Sequence, residues 1–77
     1  MRKGSFEIVI KRHAFVRALQ RKIAAELIER TLQSGKMLRF GKNRVRFEKR
    51  FRHYSIICVD EITGNIIKIL TIVKRRW

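Results

Sequence analysis

The sequence predicts an α+β fold in which two N-terminal helices pack on one face of a mainly antiparallel sheet, in the order β-α-α-β-β-β-β. Two observations predict it. Apolar residues recur at helical spacing from residue 12 to residue 34, and short β-branched runs lie on both sides of that segment. Helices segregated from strands in this way are typical of α+β proteins. We expect one domain over residues 1–77, because a chain of this length has room for a single core.

The first strand is predicted at Phe6-Glu7-Ile8-Val9-Ile10, which ends in a β-branched run. The period then changes, and a first helix is predicted over residues 12–21 with Phe15, Ala18 and Leu19 on its apolar stripe. A second helix is predicted over residues 24–34, with a stripe of Ala24, Leu27, Ile28 and Leu32. We expect Gly35 to end this helix in the left-handed conformation.

Four more strands are predicted after the helices. The first is residues 37–40, and the turn Gly41-Lys42-Asn43 separates it from a basic strand that begins at about Arg44. The last two, Tyr54 to Asp60 and Ile66 to Val73, are nearly continuous apolar runs. Residues 61–65 contain a glycine where a hairpin connection needs positive φ, so these two strands are predicted to form the central hairpin.

The basic strand is predicted to have two different faces. Successive side chains of an extended chain point to opposite sides. One face then carries Arg44, Arg46, Glu48, Arg50 and Arg52, and the other carries Val45, Phe47 and Phe51. We expect a cationic surface on one side of the sheet and core on the other.

The charge of the chain indicates a polyanionic partner. Twenty Lys and Arg against six Asp and Glu leave a formal charge of +14, a strong self-repulsion for so small a body. Nucleic acid, either RNA or DNA, is the first candidate. A membrane surface is not expected to be the partner, because a cationic membrane binder is normally one amphipathic helix. No stretch approaches the roughly 18 uncharged residues that span a bilayer.

The lone cysteine, Cys58, lies in an apolar run. It is therefore expected to be a small buried hydrophobe in a protein of the reducing cytoplasm.

No cofactor or metal site is expected, because His13, His53 and Cys58 lack ligand spacing and the carboxylates are scattered. Metal-independent RNA cleavage needs a base for the 2′-hydroxyl, a donor for the leaving oxygen and cations around the phosphate. The candidate catalytic residues are His13, His53, Tyr54 and Lys49. The candidate nucleic-acid-binding residues are Arg17, Arg21, Lys42, Arg44, Arg46, Arg50, Arg52, Lys74, Arg75 and Arg76. The Phe, Tyr and Trp residues of the chain add aromatic rings to this footprint. The plainer interpretation of His13, Arg17 and Arg21 is a solvated helix face.

The segment His13-Ala14-Phe15-Val16-Arg17-Ala18-Leu19-Gln20-Arg21-Lys22-Ile23, with the helix end Gln33-Ser34-Gly35-Lys36, resembles a family of small prokaryotic proteins. Their helical hairpin opens with His-Ala, two spaced arginines and a hydrophobic residue. The family is similar to the BrnT toxins and, more distantly, to the RelE/ParE superfamily of toxin–antitoxin systems. His13, Arg17, Arg21 and Gly35 match motif positions. Lys22 and Ala24 depart from the pattern, which often has glycine at the first position and a Ser, Thr or Asp cap at the second.

The resemblance implies a RelE/BrnT-like fold and a metal-independent endoribonuclease that an acidic antitoxin inhibits, acting on free or ribosome-associated RNA. Two other functions stay open. The first is a non-enzymatic nucleic-acid-binding module, and the second is an interaction protein for an acidic partner.

Overall fold

The computed structural model describes residues 1–76, and Trp77 lies outside the described residues. The elements are β1 (Arg2–Lys3), β2 (Phe6–Ile10), α1 (Arg12–Gln20), α2 (Ala25–Ser34), β3 (Lys36–Arg39), β4 (Arg44–Arg50), β5 (Tyr54–Thr63) and β6 (Ile66–Arg76). Over the described residues, no helix is long and apolar enough to cross a membrane.

The predicted fold class was wrong. The helices are not N-terminal but lie mid-chain, after two short strands, and the sheet is mixed and curled. The order β-α-α-β-β-β-β, and with it the RelE/BrnT-like architecture that the resemblance implied, is therefore replaced by β-β-α-α-β-β-β-β. The missed element is β1, whose Arg-Lys sequence has no apolar pattern. It forms because a turn with Gly4 at φ 61° brings Arg2 opposite Glu7.

Because the sheet is curled, Lys3 of β1 also contacts residues that are distant in the chain. The Nζ atom of Lys3 donates to the carbonyl of Gln33 at 2.7 Å, in the last turn of α2. A cation at a helix C-terminus is favourable because the carbonyl groups there are unpaired and partly negative. The same Nζ lies 5.7 Å from the ring centroid of Phe47, although three strands separate β1 from β4.

The strand order in the sheet is β1-β2-β6-β5-β4-β3. The predicted central hairpin is confirmed, since β5 and β6 pair antiparallel in the middle of the sheet. The pairing of β2 with β6 is parallel, which the prediction of a mainly antiparallel sheet did not include. No local sequence pattern predicts this pairing, because β2 and β6 are far apart in the chain and meet only in the folded protein.

The helices cover one face of the sheet. Buried side chains from both layers form the core: Ile8, Ala18, Ile23, Ile28, Leu32, Val45, Phe47, Ile56, Cys58, Ile67, Ile69 and Ile72. We call the opposite side the open face.

Two backbone positions explain how the helices are held. Gly35 follows α2 at φ −72°, so the expected left-handed conformation was wrong. A Cβ atom there would overlap the carbonyl oxygen of Thr31 and lie 3.0 Å from that of Glu48, so glycine allows α2 to approach β4 closely. Between the helices, Lys22 adopts φ 62°. A glycine would take this left-handed conformation without the cost of roughly 1–2 kcal/mol that other residues incur.

A β-bulge divides β6. Val59 is opposite Thr71 and Asp60 is opposite Ile69, so Leu70 is an extra residue on β6. The parallel pairing with β2 ends at the same point, where Ile10 is opposite Ile69. Beyond the bulge, β6 pairs with β5 on one side and has no strand on the other within residues 1–76.

Candidate nucleic-acid interface

The basic strand keeps three of its four predicted arginines. Arg44 and Arg46 alternate with the buried Val45 and Phe47, and Arg50 ends β4 after the half-buried Glu48 and Lys49. Arg52 was placed wrongly on this strand. Its backbone lies in a two-residue turn with His53, because the N–H of Phe51 donates to the carbonyl of Tyr54 at 2.7 Å.

Cross-strand pairing arranges the open face in rows. From β3 or β4 towards β6 the rows are Leu38-Arg46-Val59-Thr71, Lys36-Glu48-Ile57-Val73, Arg44-Glu61-Lys68 and Arg50-Ser55-Arg75. The middle of this face is apolar, and Ile57 is only 7% exposed although no helix covers it. Cations border this apolar floor, an arrangement suited to a ligand with flat apolar rings and a charged backbone.

Two of the arginines on β4 have carboxylate partners. A guanidinium nitrogen of Arg44 lies 4.0 Å from a carboxylate oxygen of Glu61, and one of Arg46 lies 3.9 Å from Glu48. All four side chains are partly exposed, so these pairs contribute at most about 1 kcal/mol. Their charges are nevertheless partly compensated by the protein itself.

The richest concentration of candidate residues lies where the β4–β5 turn meets the last residues of β6. We call this region the basic end; it comprises Lys49, Arg50, Arg52, His53, Tyr54, Lys74, Arg75 and Arg76. Pairing places Arg76 opposite Tyr54, and Arg75 opposite Ser55, which in turn is opposite Arg50. Lys49 and Lys74 flank Ile56 on the helix side of the sheet. Segments distant in the chain thus meet at one end of the sheet, with side chains on both of its faces.

An aromatic pair lies at the basic end. The rings of Phe51 and Tyr54 stack with centroids 5.3 Å apart and an interplanar angle of 26°. The Nζ atom of Lys74 lies 4.4 Å from the centroid of the Tyr54 ring, and that of Lys49 lies 5.9 Å from the centroid of Phe51. The lysines therefore make cation–π contacts with a ring pair that also has an exposed part.

No Asp or Glu belongs to the basic end. Among the described residues, no carboxylate forms an ion pair with Lys49, Arg52, His53, or the Lys74–Arg76 segment. A shallow depression lined by Lys36, Glu48, Arg50 and Ser55 adjoins this region on the open face. Within residues 1–76, strand pairing places no acidic side chain opposite the cations of the basic end, and Glu48 lies next to Arg50 on the open face.

The other candidate residues lie elsewhere. His13, Arg17 and Arg21 stand on α1 beside the uncovered edge of β6, so His13 and His53 are not part of one site. Lys42 lies in the β3–β4 turn, at the opposite end of β4 from His53. The fold therefore divides the candidate set into the basic end, the ion-paired Arg44 and Arg46 of β4, the α1 row and Lys42.

Two buried groups have strongly shifted pKa values. Burial raises the pKa of the Asp60 carboxyl from 3.8 to about 8, and neither of its oxygens has a hydrogen-bond partner among the described residues. Burial, together with the nearby Asp60, raises the pKa of the Cys58 thiol to about 12. Cys58 is thus a buried thiol, as predicted, and not a nucleophile.

Three features escaped the sequence prediction: the stacking of Phe51 on Tyr54, the buried Asp60, and the bulge at Leu70. Only the bulge had a usable signal. Lys68 and Thr71 interrupt the apolar run three residues apart, and both belong to the open face. In a regular strand, residues three apart point to opposite faces, so one extra residue must lie between them.

Within residues 1–76, no group of three or more His, Cys, Asp and Glu side chains is placed to hold a metal ion. Compared with known proteins, the chain matches no family model, no curated protein and no solved structure. The resemblance over residues 13–36 stays a prediction.

Proposed function

We propose that this chain is a basic RNA-binding protein that cleaves RNA without a metal ion, with the basic end as its site. One observation carries the proposal. The pairing of β4, β5 and β6 joins candidate proton carriers and candidate phosphate-binding residues from two distant segments, with no carboxylate among them. Such a concentration of cations beside partly exposed rings is the footprint of a single-strand binding surface.

The chemistry at this surface uses the nucleophile that RNA itself carries. His53 accepts the proton of the 2′-hydroxyl, and the 2′-oxygen attacks the adjacent phosphorus. The bond from phosphorus to the 5′-oxygen breaks, and the hydroxyl of Tyr54 gives its proton to that oxygen. The products are a 2′,3′-cyclic phosphate and a 5′-hydroxyl. Arg52, Lys74 and Arg76 bind the phosphate, since Lys74 and Arg76 share the helix side of the sheet with Tyr54. Their charge stabilises the transition state as negative charge builds.

Purified protein incubated with RNA in EDTA tests this proposal. We expect 2′,3′-cyclic phosphate ends, and we expect DNA or 2′-O-methyl RNA to be bound but not cut. His53→Ala should lower the cleavage rate by about 100-fold or more while leaving the Kd for uncleavable RNA nearly unchanged. Arg30→Gln, a change on the exposed surface of α2 outside the basic end, is the control. RNA that stays intact after prolonged incubation, with and without ribosomes, would contradict cleavage.

A non-enzymatic nucleic-acid-binding module is the second candidate, and one observation favours it. Tyr54 belongs to the helix side of the sheet, whereas Arg50 and Arg75 belong to the open face. A nucleic-acid strand wrapped around this end of the sheet would contact both faces, and the three side chains would not meet at one phosphate. Six phosphate contacts would then give a salt slope of about −4, at roughly −0.7 per contact, with no cleavage.

The proposed biological setting is a toxin–antitoxin system in the cytoplasm. The resemblance over residues 13–36 supports it, as does the charge of +14, which suits an acidic antitoxin. An acidic protein encoded beside this chain should co-purify with it and suppress cleavage. Co-purification with an acidic protein in the absence of any RNA binding would instead favour the interaction-protein function.

A further inference from the structure

α1 lies along the part of β6 that no strand covers. The N–H of Lys11 donates to the carbonyl of Ile69 at 3.2 Å, and this is the last backbone contact before the chain turns into α1. Further along β6, the Nη1 atom of Arg21 donates to the carbonyl of Ile72 at 3.3 Å. In an extended strand the N–H and C=O of one residue point to the same side, so the N–H of Ile72 also points towards α1.

A cleft of about 70 Å³ separates the helix from this strand edge. We call it the edge cleft; it is lined by His13, Ala14, Arg17, Arg21, Leu70, Thr71 and Ile72. Ala14 is 3% exposed and Ala18 is fully buried. These small side chains let α1 approach the sheet. The row of His13, Arg17 and Arg21, at i, i+4 and i+8, therefore lies along the rim of the cleft.

The row has no counter-charge. α1 contains no Asp or Glu, and no ion pair of the described residues includes His13, Arg17 or Arg21. A solvated polar face would explain cations that point into bulk water. It does not explain why three of them line a cleft whose other wall is an unpaired backbone edge. One of these, Arg21, is already fixed there by its bond to Ile72.

An anion bound in the edge cleft would interact with the cations of α1 on one side and with the unpaired backbone edge of β6 on the other. Side chains with fixed positive charge and bidentate geometry bind phosphate oxygens well, and backbone N–H groups do so too. We propose that the edge cleft binds a phosphate group of the RNA strand that occupies the basic end. Ile72 and Lys74 are two residues apart on β6, about 7 Å at 3.4 Å per residue. One RNA strand can therefore contact both the edge cleft and the basic end. Only the source of the phosphate rests on the proposed function; the site itself does not.

Inorganic phosphate tests the site alone. We expect saturable NMR shifts of the amides of Leu70, Thr71 and Ile72 during a phosphate titration. Arg17→Gln should abolish them, and Arg17→Lys should weaken them, because lysine keeps the charge but loses the bidentate fork. Arg30→Gln should leave them intact. Thermal unfolding of each variant shows that it is folded. If the amide shifts are absent, or equal in Arg17→Gln and the unsubstituted chain, there is no phosphate site in this cleft.

An uncleavable 2′-O-methyl RNA of about eight nucleotides, within the usual site size, tests the source. Arg17→Gln should make the salt slope of its binding shallower by about 0.7, the value of one contact, whereas Arg30→Gln should not. Phosphate shifts with an unchanged slope would overturn RNA as the source and assign the site to a free phosphate compound. Because this RNA cannot be cut, failure of catalysis at the basic end would leave both measurements unaffected.

Discussion

The two ends of the sheet carry very different charge balances. At the basic end, the eight candidate residues come from β4, the following turn, the first residue of β5 and the end of β6, and none is a carboxylate. At the other end, which we call the paired end, Arg44 has Glu61 as an ion-pair partner and Lys68 stands opposite the same glutamate. Asp60 is buried beside them. The basic end carries six of the twenty Lys and Arg side chains, so a polyanion should meet it before the paired end.

The largest expected effect comes from removing charge at the basic end. The double change Lys74→Gln with Arg75→Gln should raise the Kd for single-stranded RNA by about tenfold or more, since charge-assisted hydrogen bonds contribute roughly 1.5–3 kcal/mol each. Loss of two contacts should also make the salt slope shallower by about 1.4. Fluorescence anisotropy over a salt series measures both quantities.

The matched control for this change lies at the paired end. Arg44→Gln with Lys68→Gln removes the same charge, but we expect less than about a threefold change in Kd, because Glu61 already compensates part of it. Equal losses at the two ends would mean that binding follows net charge alone and that the basic end is not a site.

A second prediction concerns the stability of the paired end. The pKa of Asp60 is raised to about 8 in the folded chain, against 3.8 without burial, so the folded state holds a proton that the unfolded state has lost. Between these two values, the Asp60 contribution to the free energy of unfolding should fall by about 1.4 kcal/mol per pH unit as pH rises. It is fully present below pH 4 and lost above pH 8.

Asp60→Asn isolates this contribution, because asparagine has a similar shape and cannot ionise. Urea unfolding of both proteins from pH 4 to pH 9 should show the variant gaining stability relative to the parent as pH rises. A difference that stays constant over this range would show that Asp60 titrates in the ordinary acidic range.

The smallest effect is expected from Glu61→Gln. Loss of this carboxylate leaves Arg44 without its partner and makes the paired end more like the basic end. RNA affinity at low salt should rise by less than about threefold, since an exposed ion pair contributes at most about 1 kcal/mol. The gain should vanish at high salt through screening. A tenfold gain would show that Arg44 belongs to the main RNA-binding surface.

Local pattern predicted most elements but not their arrangement. β2, both helices and the four later strands follow from periodicities that a few neighbouring residues carry. β1 does not, because its two basic residues have no pattern of their own and depend on Glu7 and Gln33 for partners. The same limit applies to Arg52. Side-chain alternation placed Arg52 on β4. In the structure a backbone hydrogen bond from Phe51 to Tyr54 closes a turn at Arg52 and His53.

Composition and spacing alone established that the chain is strongly basic, that β4 has an apolar and a cationic face, and that α1 carries a row of three potential cations. These properties depend on charge and on helix and strand periods, which are local. Only the tertiary structure decided which cations keep an uncompensated charge. Strand register brought Glu61 to Arg44 but brought Arg75 to Ser55, and the end of the β2 pairing at Ile10 left a backbone edge of β6 beside α1. Register and bulges arise from packing between distant segments, so they are not determined by any single stretch of the chain.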